Sequence, residues 1–240
     1  MFNYCMTTNI NFGKGCLRGL TDAVGPKSAK NVLIFSGDKS AKASGVLGEI
    51  KNRLSFCNLV IFDGLKPNPS IENLANGVEA CRKKNIDLII AVGGGSVIDY
   101  AKAVSVLSKN KGKLRNFFYK KQKLNREKIM FIAVPTTFGT SSEITPYSVM
   151  TDEAKKTKIT LADESLFADF AFIDPKFTLT MPRPLIATCC ADLFSHALEA
   201  YWNVRANELT DSYADKAIRL FLEYYQKTYR MPKNLNSSVT

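Results

Sequence analysis

The sequence holds one histidine, at position 196, and one tryptophan, so whatever an imidazole does in this protein falls to His196. Its six cysteines lie at 5, 16, 57, 81, 189 and 190 with no C-x-x-C pair, which excludes a zinc ribbon; in a chain of 240 residues a disulfide framework is not expected either. Cys189 and Cys190 read as small buried residues beside a helix. No apolar run reaches the ~20 residues that cross a bilayer, so no membrane partner is expected. The opening residues, MFNYCMTTNINFGKG, lack the basic start and apolar core of a secretory leader, and the expected location is cytoplasmic.

Acidic residues are also short, 22 Asp and Glu against 33 Lys and Arg, which leaves a formal charge of +11. Much of the excess falls between Lys109 and Lys128, where Phe117, Phe118 and Tyr119 are interleaved with basic residues. RNA-binding surfaces use that mixture, but so does a plain surface connection leading to the strand at Ile129. The second reading is preferred, with no nucleic-acid partner. The positive balance favours an anionic cofactor and leaves an anionic substrate open.

What the chain does contain is organised around Ile86 to Lys102, IDLIIAVGGGSVIDYAK. The run Leu88 to Val92 is short and β-branched, as in a strand buried on both faces. Gly93, Gly94, Gly95 and Ser96 then lead into a helical pattern through Leu107. This strand, turn and helix can be a bare turn, or a cradle in which free N–H groups at the helix start meet a phosphate. Asp99 and Lys102, three apart on the first turns, read either as a solvated ion pair or as groups facing that turn.

Around this unit, strands at Asn31 to Phe35, Asn58 to Phe62, Lys128 to Val134 and Ala171 to Ile173 alternate with helices at 41–54 and 71–84, the latter capped by Ser70. The pattern predicts an α/β fold, a doubly wound parallel sheet over residues 1–180. Asp38, just past an early strand end, suits either a turn or the hydroxyls of an adenosine ribose, and the second use favours NAD over NADP. The hydroxyl-rich loop PTTFGTSSE, from Pro135, can wrap a polar ligand. From Pro182 onward the pattern turns helical, giving a second unit over 181–240. In it Asp192 and His196 stand four apart on one helix, so both project from one face. They can grip a divalent ion such as iron(II), zinc or manganese; alternatively His196 donates to a nearby carbonyl.

Three stretches in order, GGGSVIDYAK, PTTFGTSSEITPYSVMTD and DPKFTLTMPRPLIATCCADLFSHALEAYW, resemble the iron-containing (group III) alcohol dehydrogenases over about Asn9 to Leu222. The resemblance implies a Rossmann-like cofactor domain joined to an all-helical domain, as in dehydroquinate synthase. It implies NAD or NADP, with Gly94, Gly95 and Ser96 at the pyrophosphate and Asp99 and Lys102 positioning the cofactor. Asn68, Thr136, Thr137, Thr140, Val149 and Lys158 would line the cofactor site, Lys158 also acting in catalysis from a hairpin of Tyr147 to Met150 and Thr157 to Leu161. This chain carries Ser141 where the family usually has glycine.

The family metal, Fe(II) or Zn(II), would sit on Asp192, His196 and two further histidines that no position after 196 supplies. The expectation is therefore an incomplete helical domain in a C-terminally truncated chain. The implied activity is reversible hydride transfer between NAD(P) and a small alcohol or aldehyde in a homodimeric enzyme. HALEAYWNVRANELTD resembles the phosphonoacetaldehyde reductase branch, in which Arg205 or Lys158 would hold the anionic substrate; a general short-chain alcohol dehydrogenase and an inactive NAD-binding remnant are the alternatives.

Overall fold

The computed structural model describes residues 2–25, 29–37 and 40–233. In chain order its strands and α-helices are β1 Asn9–Phe12, α1 Leu20–Val24, β2 Asn31–Gly37, α2 Ser40–Ala43, α3 Val46–Arg53, β3 Asn58–Leu65, α4 Ile71–Lys83, β4 Leu88–Gly93, α5 Gly95–Leu107, α6 Leu114–Phe118, β5 Met130–Pro135, β6 Tyr147–Asp152, β7 Thr157–Ala162, β8 Phe170–Ile173, α7 Arg183–Trp202 and α8 Glu208–Arg230. Six strands form one sheet in the order β1-β8-β5-β4-β2-β3, every pair parallel. The expected α/β fold is what the chain adopts.

The continuous apolar runs follow from helices covering both faces of this sheet. Along β4, Ile89 and Ala91 join the core under α4 and α5, while Leu88, Ile90 and Val92 join the opposite core with α1 and α3. Neighbouring strands keep the same alternation, with Leu33 and Phe35 of β2 on the first side and Val32 and Ile34 on the second. Helix α5 is buried from Val97 through Leu107, on every side, because it lies between the sheet and the antiparallel β6–β7 hairpin. A helix so enclosed need not be amphipathic.

Two expectations give way. The helix predicted over 41–54 is split into α2 and α3 by Gly45, whose φ of 76° no helix interior allows. The basic stretch from Lys109 to Lys128 is not a featureless connection: it folds into α6, which buries Phe117 and Phe118 against the core and leaves neither ring exposed for stacking on a base. Arg115 of α6 also pairs with the fully buried carboxylate of Asp152, whose other oxygen accepts from Tyr119 at 2.6 Å, so this segment anchors the turn end of the β6–β7 hairpin.

Beyond β8, α7 begins where Pro182 and Pro184 set the first turn. α8 starts with a capping box in which Asn207 accepts from the Leu209 and Thr210 N–H groups. The two helices pack on each other and on a small cluster of Met181, Ile186, Cys189 and Cys190, joined by Phe138 and Phe221. Among the described residues no helix is long and apolar enough to cross a membrane.

Candidate functional site

From β2 the chain steps outward to β3, then crosses back over β2 to place β4 on its other side and continues to β5. The direction of winding therefore reverses between β2 and β4, and in an open parallel sheet that reversal leaves a crevice at the strands' carboxyl ends. A cleft of about 810 Å³ opens beyond the end of β4. Gly95 and Ser96 of α5 form one end of it, Asn68 and Pro69 border it, the segment from Thr140 to Thr151 makes a wall, and Asp192, His196 and Glu199 of α7 face across with Asn203 at that helix's C-cap. The glycine-rich turn and the Asp192/His196 pair thus share one cavity.

Gly94 is the N-cap residue of α5, and no side chain caps that end, so its leading N–H groups remain available to an anion. The glycines serve the protein's own packing as well. A Cβ on Gly94 would come within 2.9 Å of Thr137 Oγ1, and one on Gly95 within 3.0 Å of Thr140. The loop after β5 is drawn against the turn because side chains are missing there. Asn68, at φ 56°, donates its N–H to Ser96 Oγ at 3.3 Å and closes the border of the cradle.

Asp99 and Lys102 do not both face this turn. Asp99 lines the cleft, and one of its carboxylate oxygens accepts from the Val149 N–H at 3.0 Å while the other is buried without a hydrogen-bond partner. Lys102 is fully buried and lies outside the cleft lining, its ammonium bonded to Thr145 O at 2.6 Å, Tyr147 O at 2.9 Å and Thr145 Oγ1 at 3.2 Å. The side chain is turned toward the hairpin because α5 is covered on that side too. Burial raises the Asp99 pKa against the opposing effect of Lys102, and burial lowers the Lys102 pKa to about 8 against the attraction of Asp99 and Glu143.

On α7, His196 Nδ1 lies 3.2 Å from the carbonyl oxygen of Gly139, and Nε2 lies 3.7 Å from Asp192 Oδ1. Donation from Nδ1 to that carbonyl, the second of the two sequence readings, fixes the tautomer and leaves the Nε2 lone pair beside the carboxylate. Gly139 makes this possible: its φ is 99°, and a Cβ there would stand 2.6 Å from Cys189 O. The Cys189 thiol, pushed up to about 11 chiefly by burial and then by Asp192, stays protonated and offers no thiolate to the pair.

Thr140, Val149 and Lys158 also line the cleft. Thr136 and Thr137 do not; Thr136 is buried and donates to Ser40 Oγ at 3.3 Å, and Thr137 packs on Gly94. Arg205 is likewise outside the lining, and Asp38 lies outside the described residues. Sequence reasoning passed over Glu199, although 192, 196 and 199 follow the helical spacing of a single face, and over Asn203 at the helix C-cap.

The family profile described as iron-containing alcohol dehydrogenase matches residues 7–175, and that of the Fe-containing alcohol dehydrogenase family's C-terminal part matches 186–239. The chain belongs to the iron-containing alcohol dehydrogenase family. It is 32% identical over 218 residues to alcohol dehydrogenase 4 of Schizosaccharomyces pombe, covering 90% of this chain and 51% of that protein. It is 33% identical over 239 residues to an NADPH-dependent butanol dehydrogenase of Clostridium saccharobutylicum, covering 97% and 60%. The solved sulfoacetaldehyde reductase of Bifidobacterium kashiwanohense in complex with NAD+ superposes with a TM-score of 0.93 at 25% identity, covering 99% of this chain and 63% of that one. The chain thus spans between half and two thirds of the length of these relatives.

A hard carboxylate and an oriented imidazole nitrogen on one helix face suit a divalent first-row metal. Among the described residues no group of three or more His, Cys, Asp and Glu side chains converges to hold one.

Proposed function

We propose that this chain carries the dinucleotide cleft and half of the metal site of an enzyme that moves hydride between NAD(P) and a small alcohol or aldehyde. One observation carries the reading: the uncapped start of α5 and the Asp192/His196 pair open into the same cavity. The N–H groups of Gly95 and Ser96 receive the diphosphate, and Val149 gives the cleft wall an apolar patch against which the nicotinamide is held. Asp192 and His196 would hold the divalent ion, which when bound supplies Lewis acidity toward the substrate oxygen. The Gly139 carbonyl keeps the His196 proton on Nδ1, away from that ion.

The relatives include both an NADPH-dependent enzyme and an NAD+ complex, and our reading takes NAD. For the substrate it takes a small aldehyde with an anionic group, phosphonoacetaldehyde being the example. Lys158, the one lysine or arginine of the lining among the described residues, and a neighbour that reduces a sulfonated aldehyde support this. Fluorescence titration with NADH and NADPH, followed by NADH oxidation over a panel of charged and neutral aldehydes with Fe(II) or Zn(II) added, tests it. Tighter NADH binding and preference for the anionic aldehyde are expected; no binding of either nucleotide defeats the proposal. A non-catalytic dinucleotide-binding role is the alternative, supported by the want of a third convergent donor among the described residues, and binding without aldehyde-dependent oxidation selects it.

The same reading divides the chain into a cofactor domain, 1–180, and helices of a second domain, 181–240. It includes a cytoplasmic location, supported by cysteines that are all free, and a homodimer, supported by the exposed Phe12 and Ile10 on edge strand β1 and checked by light scattering.

A further inference from the structure

The ammonium of Lys102 has three donors, and three acceptors of the protein take them: Thr145 O at 2.6 Å, Tyr147 O at 2.9 Å and Thr145 Oγ1 at 3.2 Å. The side chain is fully enclosed and has none left for a phosphate in the cleft. One turn earlier on α5, the carbonyl of Asp99 accepts from Ser148 Oγ at 2.7 Å and its carboxylate accepts from the Val149 N–H at 3.0 Å. Five hydrogen bonds therefore tie two residues of α5 to the short segment from Thr145 to Val149. Thr145, Tyr147 and Val149 in that segment line the cleft between the glycine turn and the Asp192/His196 pair.

We infer that Lys102 is a positioning residue: it never touches the dinucleotide but fixes the Thr145–Val149 wall against which the cofactor's nicotinamide half is held. The placement of that half rests on the function proposed above; the tie between helix and wall does not. Lys102 is suited to the task because its ammonium lies 4.0 Å from Asp99 Oδ1, an oxygen with no hydrogen-bond partner of its own, so its charge also keeps that buried carboxylate compensated. A neutral side chain of similar length would fill the space and release both the wall and Asp99.

The test is the Lys102→Met variant, examined by amide hydrogen exchange and by competitive binding of NADH and ADP. Exchange at residues 145–150 should accelerate about tenfold or more while β4 and β5 keep their protection. NADH binding should weaken about tenfold, and ADP, which presents the diphosphate without nicotinamide, should bind within about twofold of the original. Equal losses for NADH and ADP would mean that Lys102 meets the phosphates, and unchanged exchange at 145–150 would mean that it does not hold the wall; either result overturns the inference. Should Lys102→Met fail to fold, Ser148→Ala removes one tie at smaller cost, and the same split between NADH and ADP is expected at about threefold, its absence counting against the inference. If the unmodified protein binds neither nucleotide, the dinucleotide reading is what fails, and hydrogen exchange still decides whether Lys102 holds the wall.

Discussion

The carbonyl oxygen of Gly139 stands 3.2 Å from Nδ1 of His196, across the gap between the loop after β5 and helix α7. This contact joins the sheet's carboxyl edge to the helical part of the chain, and it decides which imidazole nitrogen is free. Without it the half-exposed ring of His196 would have no partner to fix its tautomer.

Removing that ring should abolish what metal binding the chain has. His196→Ala is expected to leave stability within about 0.5 kcal/mol, since the side chain is half exposed, while Zn(II) uptake measured by calorimetry disappears. Ser195→Ala, one position away, should retain it. Zn(II) binding that survives in His196→Ala would remove the pair as the metal site.

Gly139→Ala should act on His196 without touching it. At φ 99° a Cβ is strained, and it would meet Cys189 O at 2.6 Å, so the loop must lift from α7. A loss of about 2 kcal/mol in thermal unfolding is expected. Zn(II) affinity should fall tenfold or more, as it does when a ligand loses the partner that orients it.

Ser141 occupies the left-handed region, φ 50°, in the cleft wall. Ser141→Gly relieves that strain at the cost of a freer unfolded chain, and the net expectation is a gain of about 0.5–1 kcal/mol, seen as a higher Tm. A lower Tm would show that the hydroxyl makes up for the strain.

The buried Lys102 has a definite pH signature. Its folded pKa, about 8, lies below the 10.5 of an unperturbed lysine, so between those values the unfolded chain binds more protons and stability rises with pH. Below pH 8 the penalty for burying the charge is present in full. Relative to Lys102→Met, the unmodified protein should therefore gain on the order of 3 kcal/mol in denaturant midpoints compared between pH 8 and 10.5. A difference that stays flat over this window would mean that the ammonium is not penalised by burial.

The strands and the Asp192/His196 pair were legible because each depends on local spacing. Five apolar residues in a row at Leu88 to Val92 have no polar face to show solvent, and positions four apart on a helix share a face whatever surrounds it. Glu199 was equally available to that reasoning, one turn further along. Gly45 was harder to read, since a glycine inside a helical pattern is often tolerated; only its φ of 76° shows that the helix stops.

Lys102 marks where local spacing stops being informative. Its place on α5, three residues after Asp99, was fixed by the sequence, but a helix enclosed on all sides offers no pattern from which to tell a cleft-facing position from one beneath a hairpin. Likewise Phe117 and Phe118 could be counted among basic residues but not placed, because whether an aromatic ring stacks on a ligand or fills a core depends on what packs over it. The sequence alone determined the parallel α/β fold, the glycine turn and the helix face that bears Asp192 and His196. Tertiary structure decided that these meet in one cleft, and which way Lys102 and the imidazole of His196 point. Those outcomes depend on contacts such as the 57 positions between Gly139 and His196, a separation at which local pattern carries no directional information.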